Sequence, residues 1–404
     1  MTKTTNDATE MLRSPYFFRE VLSAARKVGL VGEERNALVV YTTATSRLLA
    51  KPLCLFIKGP SSVGKNFLAD SILSLLPPTE IHLLTSASTR SWNYLGGDIA
   101  HKTVYVKERN ESAGVVQPSR LLISENALSH SVAVRQGGRF VQETCVTKGP
   151  IASISTTTKD RVEIDDETRH VSVWVDESCE QTTDIMKAAL DTGSGLSPDE
   201  LAVWHEVQEL LKQRSNVAIT FPDTFRGIVD HVRNDNLWAR RYFPAFLQSC
   251  RTVALIRSFR DDKGKADIPR GLVVSFKDFA IAALIFNAVF SRSLNKADDQ
   301  DIEVEQRIKR IAARTGGNGV RASDLAHDMG TSADRAYALL RKAAGAGTVS
   351  RINTPSKGNL KLYLPGRPTR FLPHPADMFN RLAGVPKKVK FVHPLTGEWI
   401  IYNR

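Results

Sequence analysis

Leu53-Cys-Leu-Phe-Ile-Lys58-Gly59-Pro-Ser-Ser-Val-Gly64-Lys65-Asn66-Phe-Leu-Ala-Asp-Ser-Ile-Leu-Ser-Leu-Leu76 is the stretch that decides the fold. An apolar run of strand length leads into a loop bounded by glycines, and an amphipathic helical pattern leaves it. Successive backbone N–H groups and the positive end of the helix then point at one place, a cradle for phosphate. Gly59, Pro60, Ser61, Ser62, Val63, Gly64, Lys65 and Asn66 meet the pattern G-x-x-x-x-G-K-[ST] except at its last position. There Asn66 replaces the hydroxyl that ordinarily ligates magnesium, and its amide oxygen is a less conventional ligand. Lys65 is placed to reach the β and γ phosphates of a nucleotide.

Outward from this loop, β-branched runs at 103–106, 151–155 and 171–175 alternate with helical patterns, predicting an α/β sheet with helices on its faces. A phosphate-binding loop of this kind needs a second strand ending in acid. Thr103-Val-Tyr-Val106 followed by Lys107-Glu108-Arg109 supplies one. If Glu108 is the catalytic carboxylate, Lys107 stands at the metal side; if Glu108 holds the metal, Arg109 stands at the catalytic position. Glu111 is the remaining acid within reach of the same turn. A helix over Pro118–Leu128 precedes two alternating runs between Ser131 and Val141 that meet at Gly137-Gly138, a β-hairpin with Arg135 and Arg139 flanking its tip. The strand at 151–155 ends in Thr156-Thr157-Thr158, a polar terminus suited to a γ-phosphate or its attacking water.

The remaining sequence is organised around this core. Residues 15–50 read as helices broken at Gly29–Gly32. Residues 180–300 carry no strand series and read as a helical lid, with Trp238, Arg240 and Arg241 at its centre. A polar stretch at 295–302 marks a boundary. Beyond it come helices at 302–314, 322–329 and 332–344, then runs at 348–352 and 360–364 around a flexible loop, the pattern of a winged helix. Arg335, Arg341 and Lys342 on its third helix, with Arg351, Lys357 and Lys361 in the wing, suit contacts to a nucleic-acid backbone. Residues 366–404 form a basic tail with Pro386-Lys-Lys-Val-Lys390 and a hairpin between Lys390 and Tyr402.

Charge follows the same division. The chain of 404 residues has a formal charge of +12, and residues 301–404 hold 18 Lys and Arg against 8 Asp and Glu. The basicity is therefore C-terminal, which favours nucleic acid as a partner over a diffusely basic surface. With 42% hydrophobic and 24% charged residues the composition excludes disorder throughout. The apolar run Phe279–Phe290 falls short of the roughly 20 residues a bilayer span needs. The N-terminus has neither an apolar secretory region nor an arginine-rich presequence, so a cytoplasmic protein without membrane attachment is expected. Cys54, Cys145, Cys179 and Cys250 form no C-x-x-C, which speaks against structural zinc and a disulfide framework.

Taken in order, the phosphate loop, acidic strand end, helix, hairpin, polar strand end and the arginine of Asp166-Glu-Thr-Arg169 resemble the AAA+ ATPases of the pre-sensor-1 β-hairpin group. The segment 121–158 resembles the minichromosome maintenance (MCM) helicases, and more closely the MCM-like ATPases of mobile elements and prophages, often labelled DNA primase or helicase. The pieces Gly32-Glu-Glu-Arg-Asn36, Ser46-Arg47, His101-Lys102, Ser124-Glu125 and Gly149-Pro150 extend the resemblance over about 15–300. It implies a P-loop AAA+ core with a helical lid: a lead-in at 1–50, core at 51–185, lid at 186–298, winged helix at 301–365 and tail at 366–404. It further implies ATP and Mg2+ as cofactors, with Asn66 and Glu108 at the metal, Glu108 in the Walker B role, and Thr157 or Thr158 at sensor 1. Arg169 would be an arginine finger acting across a subunit boundary, or a surface residue paired with Asp165 or Glu167. Arg240 or Arg241 would be the sensor-2 arginine, or an ion-paired residue of the helical bundle. Arg135 and Arg139 would grip DNA in the pore of a homo-oligomer, a hexameric ring, with a primase or other replication protein as a further partner. Two alternatives stand beside this motor: a nucleotide-gated DNA-binding initiator or regulator with weak or no hydrolysis, and a protein-remodelling ATPase.

Overall fold

The structure is a computed structural model, and it describes residues 2–85, 99–109, 113–136, 139–160, 162–190, 195–234, 237–260, 271–295, 299–314, 319–345, 348–353, 361–365 and 370–404. Two compact units divide the chain, one of residues 1–286 with 373–404 and the other of residues 287–372.

The first unit opens with helices α1 (Lys3–Arg13), α2 (Phe17–Lys27) and α3 (Glu34–Thr45). The first of these lies in the polar N-terminal stretch, where Ala8 and Leu12 alone are fully buried. Its apolar stripe is too sparse to read from periodicity. The core elements follow as β1 (Cys54–Lys58), α4 (Lys65–Leu73), β2 (Ile81–Leu84), β3 (Thr103–Val106), α5 (Ala113–Glu125), β4 (Ala127–Gln136), β5 (Arg139–Lys148), β6 (Ala152–Thr157), α6 (Ile164–Glu167) and β7 (Val171–Trp174). One parallel sheet of five strands has the order β2-β3-β6-β1-β7. Every residue of β1, β3 and β6 is buried, as a strand covered on both faces requires. The four runs expected from sequence lie in this sheet, and β2 joins them at an edge. Its side chains are half-exposed, so no apolar run announces it.

Two local expectations are corrected. The helix expected at Pro118–Leu128 runs from Ala113 to Glu125 and contains Pro118, while Leu128 belongs to the next strand. The hairpin is longer than the 131–141 expected, with ten paired positions from Ala127 opposite Lys148 to Gln136 opposite Arg139. Ser129, Ser131, Gln142 and Thr144 are exposed along it, and such polar residues blur the apolar alternation that marks a strand. Its tip, Gly137 and Gly138, lies outside the described residues.

The chain continues through α7 (Cys179–Ala188), α8 (Pro198–Arg214), β8 (Ile219–Thr220), α9 (Ala239–Arg257), β9 (Leu272–Val273) and α10 (Phe276–Asn295). The apolar run 279–290 is a buried helix, with Phe279, Ile281, Ile285 and Phe286 at most 1% exposed. Among the described residues no helix is long and apolar enough to cross a membrane.

The second unit holds α11 (Asp299–Arg314), α12 (Ala322–Met329), α13 (Ala333–Gly345) and an antiparallel pair, β10 (Val349–Asn353) with β11 (Lys361–Pro365). Val304, Ile308, Leu325, Leu340 and Tyr363 close its core. It begins at Asn287, ahead of the polar stretch expected to mark the boundary. The last segment, α14 (Pro375–Arg381), β12 (Lys388–Val392) and β13 (Trp399–Asn403), is counted with the first unit.

Candidate nucleotide site

The site forms at the C-terminal ends of β1, β6 and β3, where a parallel sheet presents its loops to a ligand. Backbone freedom makes the loop after β1. Gly64 has φ +94° at the N-cap of α4, and Gly59 has φ +150° with Val63 only 2.9 Å from where a Cβ would stand. Any other residue at Gly59 would push the loop open. A cavity of about 470 Å³ lies over it, lined by Ser61, Ser62, Gly64, Lys65, Asn66, Phe67, Glu108, Arg109 and the three threonines 156–158.

Lys65 is buried at the first turn of α4, and its Nζ donates to the carbonyls of Gly59, at 2.8 Å, and Pro60. Burial lowers its pKa and the Glu108 carboxylate opposes that shift, so the two side chains share one electrostatic environment. Glu108 stands directly after β3 with φ +53°, a conformation that non-glycine residues seldom adopt. Two hydrogen bonds to β6 hold it: Glu108 N–H donates to Thr156 Oγ1 at 3.0 Å, and Arg109 N–H donates to the Thr156 carbonyl at 2.9 Å. The Thr156 hydroxyl in turn donates to Asn66 Oδ1 at 2.8 Å. Asn66, Thr156 and Glu108 thus form one chain from the helix N-terminus to the acidic strand end.

Both positive flanks of Glu108 are paired with other acids. Lys107 Nζ pairs with Asp70 on α4 at 2.8 Å. Arg109 points inward, 4% exposed, to pair with Asp166 at 2.6 Å, its guanidinium 4.9 Å from the Phe56 ring centroid. Sequence alone could not show this, because alternation along four strand residues does not say which way the next turn bends. Of the three threonines, Thr156 is the one bonded to both Asn66 and the backbone of Glu108, whereas Thr157 and Thr158 are the ones expected at sensor 1. The register of Thr156 opposite Ile57 aims its hydroxyl at Asn66. Thr157 is buried with its hydroxyl accepting from Lys159 N–H at 3.1 Å, and Thr158 is exposed.

Magnesium takes oxygen ligands and is commonly held by one or two carboxylates together with substrate phosphates. The Glu108 carboxylate and the Asn66 amide oxygen fit that need at its lower limit. Among the described residues no cluster of three or more His, Cys, Asp or Glu adds to it. Glu111 lies outside the described residues.

Arg169, Arg240 and Arg241 do not line this cavity. Arg169 Nε donates to Ser124 Oγ at 3.1 Å and its Nη1 donates to the Asp165 carbonyl, so the pairing considered with the Asp165 or Glu167 carboxylate does not form. Glu167 instead receives two hydrogen bonds from Lys58 Nζ, at 2.6 and 2.8 Å. Arg240 and Arg241 are exposed at the start of α9, and among the described residues neither is in an ion pair. Partial burial and then the nearby Arg241 lower the pKa of Arg169, which puts the two guanidinium groups in one region.

Of the residues expected to meet DNA, Arg135 is exposed on β4 opposite Phe140, and the side chain of Arg139 lies outside the described residues. In the second unit Arg335, Arg341, Lys342, Arg351 and Lys361 are exposed, and Lys361 Nζ donates to Tyr337 Oη at 2.7 Å. Lys357 lies outside the described residues.

No protein-family model matches this sequence, and no curated protein matches it. Among solved structures the chain is similar to a protein of Cytophaga hutchinsonii described provisionally as an ATPase, at TM-score 0.37 and 10% identity, over 68% of this chain and 92% of that one. It is also similar to a full-length MCM homolog from Methanopyrus kandleri, at TM-score 0.43 and 10% identity, over 69% of this chain and 60% of that one. What the chain does rests on its own residues.

Proposed function

We propose that this protein is an ATP-dependent DNA-binding motor of the AAA+ class, an MCM-like replicative helicase of a mobile element or prophage. The observation that carries this reading is the convergence of Lys65, Asn66, Glu108 and Thr156 on one cavity at the strand ends. ATP binds there with its phosphates on the loop 59–66. Glu108 and Asn66 would hold Mg2+, which would supply neutralisation of the phosphate charge. Glu108 orients the attacking water, and the 156–158 hydroxyls hold the γ-phosphate or that water. Arg169 and Arg241, away from their own chain's cavity, serve the nucleotide of the next subunit in a hexameric ring. Hydrolysis moves the Arg135 and Arg139 hairpins along DNA, and the second unit acts as a winged helix whose Arg335, Arg341 and Lys342 contact phosphates. A primase or other replication protein is a further partner.

The second reading, a nucleotide-gated DNA-binding initiator with weak hydrolysis, draws on Glu108 being the one carboxylate at the site among the described residues. Against it, Lys107 and Arg109 are paired with Asp70 and Asp166, which leaves the Glu108 carboxylate free of both for its role at the nucleotide. The deciding experiment is ATP hydrolysis by the purified protein with and without single-stranded DNA. DNA-stimulated turnover that falls by about 100-fold or more in Lys65→Ala, Glu108→Gln and Arg169→Ala supports the motor. Wild-type turnover no faster than Lys65→Ala, with ATP and DNA still bound, leaves the initiator.

A further inference from the structure

The C-terminal hairpin β12–β13 has an inner face that is accounted for and an outer face that is not. Val389 and Phe391 are 2% and 3% exposed, and Tyr402 packs against Phe379 at 5.5 Å and Phe391 at 5.8 Å between ring centroids. Arg404 donates to the carbonyls of Phe379 and Leu382, and Arg19 on α2 donates to the Leu395 carbonyl, so the hairpin is tied down at its end and its turn. Alternation and register put Lys388, Lys390 and Val392 with Trp399, Ile401 and Asn403 on the other face, where Val392 is buried and the remaining five are exposed.

That face has an unusual composition for bare surface. Trp399 is 45% exposed, Ile401 48%, and Tyr16, which meets Trp399 edge-on at 6.2 Å, 38%. Lys390 Nζ stands 4.2 Å over the Trp399 ring. In an edge-on pair one ring meets the other with its rim, so at least one of the two keeps a face the pair does not use. No carboxylate occupies an outward position of either strand, and residues 387–404 hold four basic side chains against the single acid Glu398. A flat, positively charged strip with exposed aromatic rings matches an anionic chain carrying planar groups. That is single-stranded nucleic acid, whose bases stack on aromatic rings while lysines follow the phosphates. A membrane surface fits less well, because two strands' width of mixed residues lacks the continuous apolar face that inserts into lipid.

We infer that the outer face of this hairpin, Lys388, Lys390, Trp399 and Ile401 with Tyr16 beside it, is a single-strand binding site that works by base stacking. It is separate from the nucleotide cavity, the 127–148 hairpin and the second unit, and it requires neither ATP nor hydrolysis. The Lys390 ammonium leaves the ring for a phosphate as a base takes its place.

The test uses the full chain without nucleotide and two labelled probes of about 16 nucleotides, oligothymidylate and a wholly abasic strand of the same length. Trp399→Ala is expected to weaken oligothymidylate binding by roughly fivefold or more while leaving the abasic probe unchanged. Trp399→Phe should restore most of the loss. Lys388→Ala with Lys390→Ala should weaken both probes and reduce the dependence on salt. Lys65→Ala should bind as the wild type, which keeps this result independent of the ATPase reading. Binding of oligothymidylate unchanged in Trp399→Ala overturns the proposal, as does an equal loss on both probes. A Trp399→Ala protein that binds both probes normally but sediments as a smaller species also overturns it, and identifies the face as a contact between copies of this chain.

Discussion

Asn66 is the residue at which the local pattern departs from expectation, and its surroundings account for it. A hydroxyl there would be too short to meet Thr156 across the gap that the longer amide spans. Asn66→Ala removes the acceptor of the Thr156 hydroxyl, which is fully buried. The expected cost is about 1 to 3 kcal/mol in urea unfolding, with slower turnover because Thr156 positions Glu108. His170 offers a pH test. It is stacked on Phe56 at 3.9 Å with Nδ1 donating to the Asp166 carbonyl, and burial first, then the Arg109 charge, holds its pKa well below 6.5. The unfolded chain takes up a proton near pH 6.5 that the folded chain refuses, so stability is full above that pH and declines as pH falls below it. Unfolding free energy measured between pH 7.5 and about 5 should fall with a slope approaching 1.4 kcal/mol per pH unit from this one group, and His170→Gln should flatten it.

At the level of elements, the short turn α6 with the residues up to His170 joins the site to Arg169. Asp166 pairs with Arg109 after β3 and also with Arg120 on α5 at 2.6 Å, while Glu167 holds Lys58 at the end of β1. The two strand ends that frame the cavity are thus clamped to the segment that carries Arg169. Asp166→Ala removes a buried carboxylate shared by the Arg109 and Arg120 guanidinium groups and is expected to cost about 3 to 5 kcal/mol by denaturant unfolding. Glu167→Gln keeps the shape and one acceptor for Lys58, so a smaller loss is expected there. The sheet itself was legible because β1, β3, β6 and β7 are buried runs of β-branched and aromatic residues. The edge strand β2 and the full length of the 127–148 hairpin were not, since half-exposed strands mix polar and apolar residues and their pairing comes from partners far along the chain.

For the whole molecule the question is how chains combine. If Arg169 serves a neighbour's nucleotide, Lys65→Ala and Arg169→Ala proteins, each inactive alone, should recover activity on mixing. Equal amounts assembled at random give intact sites at about a quarter of the interfaces, and hydrolysis should approach that fraction of wild type. A mixture as inactive as its components shows that Arg169 acts within its own chain or only structurally. The chain's two units are not successive along the sequence. Residues 373–404 return to the first unit, where Phe379 and Tyr402 pack with Phe276 at 5.5 and 6.4 Å.

Local sequence determined what local physics controls. The glycines at 59 and 64 dictate a loop only they can turn, the apolar run before them a buried strand, and the lysine after them the charge at a helix start. The basic C-terminal quarter, residues 301–404, is likewise a matter of composition. Tertiary structure decided which charges meet. Neighbours 37 to 90 residues away turn Arg109 inward to Asp166, tie Lys107 to Asp70, and choose Thr156 to bridge Asn66 and Glu108. Ion pairs and hydrogen bonds depend on distances of a few ångströms between parts of the chain that no periodicity relates, so only the folded sheet could set them.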